Sequence, residues 1–289
     1  MAALERGFEH FGIDFYIVGA VARDLWLSQV HDEPLRRMTK DLDLAVFIPD
    51  AAGYEALRAW LVAHEGFSIA RHSAFCLQYW PAGTTSQESV TVDLMPFGAI
   101  ADELGDVYFT GRGRERISTV GFKEVLAEAA TMTTPTGGQW RVVTLPGWVV
   151  LKLVAWQDRP EMRGKDATDV WGLLDGYFDL IDNLIYLEHA DLFDENELAA
   201  VTDFKLLTGA RVLGRQMRTL VAGQPVRQRL LGLLAAQLAL GESGPLARAM
   251  SRRAEGGRPP PTLAACLAAL RALRQGLEED PSFSGAAMK

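Results

Sequence analysis

Residues 16–27, YIVGAVARDLWL, and residues 39–48, TKDLDLAVFI, decide how this chain folds. Both are apolar runs that carry charge where a plain core segment would carry Val or Leu. β-Branched and aromatic content predicts one strand over DFYIVGAVA and another over DLDLAVFIP, with a short helix over ARDLWLSQV between them. In the second strand the two-residue period sends Leu42 and Leu44 toward a core. Asp41 and Asp43 leave the other face roughly 6.6 Å apart along the strand, at about 3.3 Å per residue. Gly19 stands where the first strand turns into the helix, and Arg23 follows one turn later.

Outward from this pair, AAGYEALRAWLVAHEG (51–66) places Tyr54, Leu57, Leu61 and Val62 at helical spacing, with Gly66 as its stop. SAFCLQYW (73–80) and SVTVDLMPF (89–97) alternate as paired strands do, and TMTTPTGGQWRVVTL (131–145) reads as a hairpin turning at 135–138. The order strand, helix, strand, helix, strand, strand predicts an α+β protein with an α/β-type mixed sheet over residues 1–145. PGWVVLKLVAWQD (146–158) and GKDATDVWGLLDGY (164–177) are helical. From about 195 onward everything reads helical, broken by AGQP, GESGP and EGGRPPPT, so residues 146–289 form a mostly helical region ending in a basic tail.

Composition narrows the class. The chain has 289 residues, 48% apolar and 23% charged, enough to bury a core and too ordered in pattern for a fibrous or disordered protein. The longest strongly apolar run, LLGLLAAQLAL at 230–240, is too short to span a bilayer, and the N-terminus lacks an apolar leader, so no membrane contact and a cytoplasmic location are expected. Cys76 and Cys266 have no Cys or His at ligand spacing, which predicts buried free thiols. Net charge is −8, but residues 1–204 hold 16 Lys and Arg against 32 Asp and Glu, while residues 205–289 hold 13 against 5. Contact of the basic part with nucleic acid, or a solvated helical face, accounts for this equally well.

Asp93, in VTVDLMPF, follows the same alternation as Asp41 and Asp43. Three carboxylates on one sheet face repel one another unless a cation lies among them, and hard oxygen donors suit Mg²⁺ shared with a phosphate. A glycine at a strand-to-helix turn lets backbone N–H groups approach phosphate at the positive end of a helix. The bland account is a tight connection with a surface Arg23–Asp24 ion pair. Turn and carboxylates together describe phosphoryl or nucleotidyl transfer.

VGAVARDL followed by KDLDLAV resembles the glycine turn and Asp-x-Asp of the DNA polymerase β-like nucleotidyltransferase superfamily, and locally the CCA-adding enzymes. VDLMPFG (92–98), LPGWVVLKLVAWQDR (145–159) and RGKDATDVWGLL (163–174) are similar to the AbiEii-type nucleotidyltransferase family, the toxin half of type IV toxin-antitoxin systems. The resemblance covers about residues 12–178. It implies a nucleotidyltransferase-fold N-terminal domain, with Asp41, Asp43 and Asp93 as the metal set (Mg²⁺ or Mn²⁺) and Asp93 acting toward the acceptor hydroxyl. It places the NTP (ATP, GTP or CTP) against Gly19, Ala20, Arg23 and Lys40. Lys152 would reach the phosphates, and Lys165, Asp166 and Asp169 match the Lys-Asp-x-x-Asp motif near nucleotide or acceptor. Ala20 departs from the pattern, because superfamily members usually carry Gly or Ser there.

The resulting expectation is a Mg²⁺-dependent transfer of NMP from an NTP to a hydroxyl, with tRNA as acceptor and a cognate antitoxin as partner. A small molecule such as an aminoglycoside or a protein side chain as acceptor, or a non-catalytic nucleotide-binding module, are the alternatives. Lys152 lies in an apolar run and must face a partner or a cleft; a salt bridge to Asp166 or Asp169 needs no substrate. GRGRER (111–116) reads as a solvated loop, with phosphate contact to an RNA acceptor as the alternative. Arg211, Arg215 and Arg218 share one helix face, open to a nucleic-acid backbone or to packing against the acidic body.

Overall fold

The computed structural model describes residues 1–29, 41–71, 73–80, 89–111, 113–134, 137–193, 203–222, 224–252 and 259–279. The chain divides into two compact units, Met1–Trp148 and Val149–Lys289.

The first unit runs α1 (Ala2–Phe11), β1 (Phe15–Ile17), α2 (Gly19–Gln29), β2 (Asp41–Phe47), α3 (Ala51–His64), β3 (Phe67–Ile69), β4 (Cys76–Tyr79), β5 (Val90–Phe97), β6 (Asp106–Gly111), β7 (Gly113–Ser118), α4 (Phe122–Ala127), β8 (Ala130–Thr133) and β9 (Gln139–Val142). Among the described residues, seven strands form one sheet in the order β3-β4-β5-β2-β1-β9-β8. β2 pairs with β5 and β1 with β9 in parallel, and the other neighbours are antiparallel, so the sheet is mixed. β2 lies at the centre, which is why Leu44, Ala45 and Val46 are buried on both faces.

Local chemistry sets the element ends. The Asp50 carboxylate accepts from the Gly53 N–H at 2.7 Å and starts α3, and Gly66, at φ 73°, follows its end. The helical stripe of α3 differs from expectation at one place: Val62 is exposed, and Arg58 occupies the buried face with Tyr54, Leu57 and Leu61. Its alkyl stem is apolar, and Glu55 meets the guanidinium at 3.0 Å. The expected loop at 111–116 is a correction as well. β6 and β7 pair as a two-stranded hairpin; Arg116 is bound to Asp106 at 2.5 Å, and Glu115 accepts from the Ala74 N–H at 2.6 Å. Arg112 lies outside the described residues.

α5 (Leu145–Asp158) opens in the first unit and continues into the second, which adds α6 (Gly164–Glu188), α7 (Phe204–Leu220), α8 (Gln224–Ala239), α9 (Pro245–Met250) and α10 (Leu263–Glu278). Val170, Leu173 and Leu174 of α6 are buried, as the helical spacing predicts. α7 and α10 cross backbone to backbone. A Cβ at Gly276 would stand 1.9 Å from the Arg211 carbonyl oxygen, and one at Gly214 2.1 Å from that of Leu273. Gly276→Leu should therefore force the helices apart at a cost of about 3 kcal/mol. Urea unfolding followed by circular dichroism measures it, and an unchanged midpoint would refute the crossing.

The arginine stripe of α7 is engaged inside this unit. Arg211 binds the Glu279 carboxylate at 2.5 Å, Arg215 binds both Glu279 and Asp191, the latter at 2.8 Å, and Arg218 reaches the Glu279 carbonyl. Arg227 adds bonds to the carbonyls of Leu277 and Glu278 at 3.1 and 3.2 Å. These cations cover the carbonyl end of α10, where a helix favours positive charge. The stripe is thus bound to the end of α10 and, through Arg215, to Asp191 of the acidic 1–204 stretch.

Candidate active site

The register of β2 on β5 brings the predicted carboxylates together. Asp43 is paired with Asp93, so the two side chains leave the same face of adjacent strands, about 4.8 Å apart at backbone level. Asp41 pairs with Thr91 two positions back and is the exposed member of the three.

Gly19 closes on this pair from the end of β1. Its φ is 65°, and a Cβ built there would lie 1.9 Å from Asp43 Oδ2 and 2.6 Å from its Cγ. Glycine is required twice over, by the left-handed backbone and by the carboxylate against its Cα. The Val18 N–H donates to the Asp43 carbonyl at 2.9 Å, tying the turn to the carboxylate strand. Two indoles hold α2 in place: Trp148 donates to the Gly19 carbonyl at 2.7 Å and Trp26 to the Val143 carbonyl at 2.7 Å. Arg23 donates to the Asp24 carboxylate at 3.0 and 3.1 Å and lies over the Trp148 ring at 5.9 Å.

A glycine turn pressed on an Asp-x-Asp strand with a third carboxylate in register is the arrangement the motifs led us to expect. The family described as nucleotidyl transferase AbiEii toxin, type IV TA system, matches residues 2–269. The chain belongs to this family. Among curated proteins, nothing matches it.

Membership makes this AbiEii-family chain a nucleotidyltransferase, and the type IV toxin-antitoxin family implies an antitoxin partner and an NTP substrate. None of its described helices is long and apolar enough to cross a membrane.

Within the second unit the motif residues bind one another. Lys152 Nζ donates to Asp166 Oδ1 at 2.5 Å and to Asp169 Oδ2 at 2.8 Å, and Arg163 stands 3.5 Å from Asp166. Both aspartates are buried. Burial pulls the Lys152 ammonium toward deprotonation, but the two carboxylates prevail and hold its pKa above the usual 10.5. Lys165 is exposed on the first turn of α6. Lys40 lies outside the described residues.

Cys76 is the buried free thiol the sequence predicts, but its place beside Asp93 was not foreseen. It pairs with Asp93 from the other side of β5, fully buried, and burial, then the charge of Asp93 and its hydrogen bond, push the thiol up to about 12. Trp148 was missed too. Strand pairing and a side chain's reach from a distant helix leave no trace in spacing, so nothing in SAFCLQYW or LPGW could have placed Cys76 beside Asp93 or Trp148 on Gly19.

Among the described residues, no group of three His, Cys, Asp or Glu side chains is gathered to hold a metal ion. The donors that are aligned, Asp43 and Asp93, nevertheless fit Mg²⁺, which binds through one or two carboxylates and takes its remaining ligands from water and substrate phosphate.

Proposed function

We propose that this chain transfers a nucleoside monophosphate from an NTP to an acceptor hydroxyl at the face where Asp43 and Asp93 meet the Gly19 turn. The observation that supports the reading is the contact of Gly19 with the Asp43 carboxylate, where the glycine turn and the Asp-x-Asp strand meet. Asp43 and Asp93, with Asp41 further along the face, would hold Mg²⁺ or Mn²⁺, which neutralises the triphosphate and acidifies the acceptor hydroxyl. The Ala20 N–H and Arg23 bind phosphate, aligning the α-phosphorus for attack. The acceptor oxygen forms its bond to that phosphorus, the bond to pyrophosphate breaks, pyrophosphate leaves with the electron pair, and the hydroxyl proton passes to Asp93.

The acceptor in this reading is tRNA, supported by the likeness of GAVARDL and KDLDLAV to the CCA-adding enzymes. The α7 arginines, occupied by Glu279 and Asp191, add nothing to it. Lys152, Lys165, Asp166 and Asp169 are assigned to nucleotide or acceptor by the family resemblance alone.

The test is incubation with labelled ATP, GTP, CTP and UTP, Mg²⁺ and total tRNA. Label should enter RNA, vanish with EDTA, and fall about 1000-fold or more in Asp41→Ala and Asp43→Ala, as loss of metal-assisted charge neutralisation demands. Equal labelling by those variants would sink the site, and label on protein or on a small molecule instead would replace the acceptor.

A further inference from the structure

We propose that Trp148 is the positioning residue of the phosphate turn, its indole N–H fixing the peptide that follows Gly19 while its ring carries Arg23. The inference rests on the reading of the site given above. Trp148 is 1% exposed and donates to the Gly19 carbonyl at 2.7 Å. A peptide unit is planar and trans, so its C=O and N–H point in opposite directions. Anchoring the Gly19 oxygen therefore fixes where the Ala20 N–H is aimed. That N–H is in the first turn of α2, for which the helix itself offers no acceptor.

Two features make this anchor matter in this chain. Superfamily members usually carry Gly or Ser at the position of Ala20, and with alanine there the side chain has no hydroxyl to give, so residue 20 can meet phosphate only through its backbone. Gly19, at φ 65°, also lacks the Cβ that would restrict its backbone, so contacts from outside the residue must hold its peptide planes. Trp148 supplies that constraint from outside the turn. Its backbone is held by Thr144, whose carbonyl accepts from the Trp148 main-chain N–H at 2.8 Å, and its ring lies against the Arg23 guanidinium, 5.9 Å from the ring centroid.

Trp148→Phe separates the two roles, because it keeps a ring beneath Arg23 and deletes the donor. In the full-length protein, transfer is measured with each of the four NTPs, and inorganic tripolyphosphate serves as competitive inhibitor. The KM for NTP and the inhibition constant of tripolyphosphate should rise by the same factor, about tenfold for one lost hydrogen bond, while the KM for the acceptor stays put. A purely structural role would lower the unfolding midpoint and kcat but leave both constants where they were, and that result overturns the assignment. Should the Phe variant not fold, benzothienylalanine at position 148, equal in shape but without the N–H, gives the same two readings. Asp43→Asn, run in parallel, tells the failures apart. Transfer retained there overturns the site itself, whereas transfer lost there with unmoved constants in the Trp148 variants overturns only the role of Trp148.

Discussion

Gly19→Ala should fold and yet lose nucleotidyl transfer about as completely as Asp43→Asn. The added methyl carbon would be placed 1.9 Å from Asp43 Oδ2, so either the carboxylate or the turn must give way. Because Val18 is bonded to the Asp43 carbonyl and Trp148 to that of Gly19, neither moves without dragging the other. A displacement of even about 1 Å at a reacting centre costs on the order of 100-fold in rate. Stability falls too, by about 2–4 kcal/mol, from the left-handed backbone and the overlap together. Urea unfolding and the labelling assay read the two losses separately. In an Asp43→Gly background the overlap disappears, and the stability loss should shrink to the backbone part alone. Full transfer by Gly19→Ala would mean that the Asp43 carboxylate is not held at the turn.

Lys152→Met should be the most destabilising single change in the helical unit. It leaves Asp166 and Asp169 buried without their ammonium, and removing one partner of a buried ion set costs about 3–5 kcal/mol. Replacing all three, Lys152→Met with Asp166→Leu and Asp169→Leu, should recover most of that loss, since an apolar trio of similar volume carries no uncompensated charge. Denaturant unfolding of the two proteins decides it; a single variant as stable as the parent would show that the trio does not hold charge. The triple variant also answers a question the geometry leaves to chemistry. Transfer recovered with stability makes the trio a structural pin, and transfer absent despite recovered stability makes it part of the transfer machinery.

The same trio sets a pH dependence. The folded pKa of Lys152 is raised above 10.5, so its contribution to stability is fully present below 10.5 and is lost as pH rises through the higher folded value. The parent protein should lose stability in that alkaline window, and the Met variant should show no such loss from this position.

Much of this was readable from spacing. The alternation of Asp41, Leu42, Asp43 and Leu44 announced a half-buried strand, Gly66 the end of α3, and the i, i+3 spacing of Asp166 and Asp169 a shared helix face, because each rests on geometry repeated over a few residues. Failures came where a feature depended on a partner far along the chain. Arg58 took a core position that periodicity assigned to Val62, GRGRER paired as a hairpin, and the α7 arginines, legible as a stripe, gave no hint that Glu279 some 60 residues on would occupy them.

The sequence by itself determined most of the element types, since strand alternation, helix spacing and the glycine turn are local properties of the backbone. Only the tertiary structure decided that Asp43 stands beside Asp93, that Cys76 flanks them, and that Trp148 holds the turn at Gly19. Register between strands and the reach of an indole from another helix are settled by burial of the whole core, a sum over contacts that no short stretch contains.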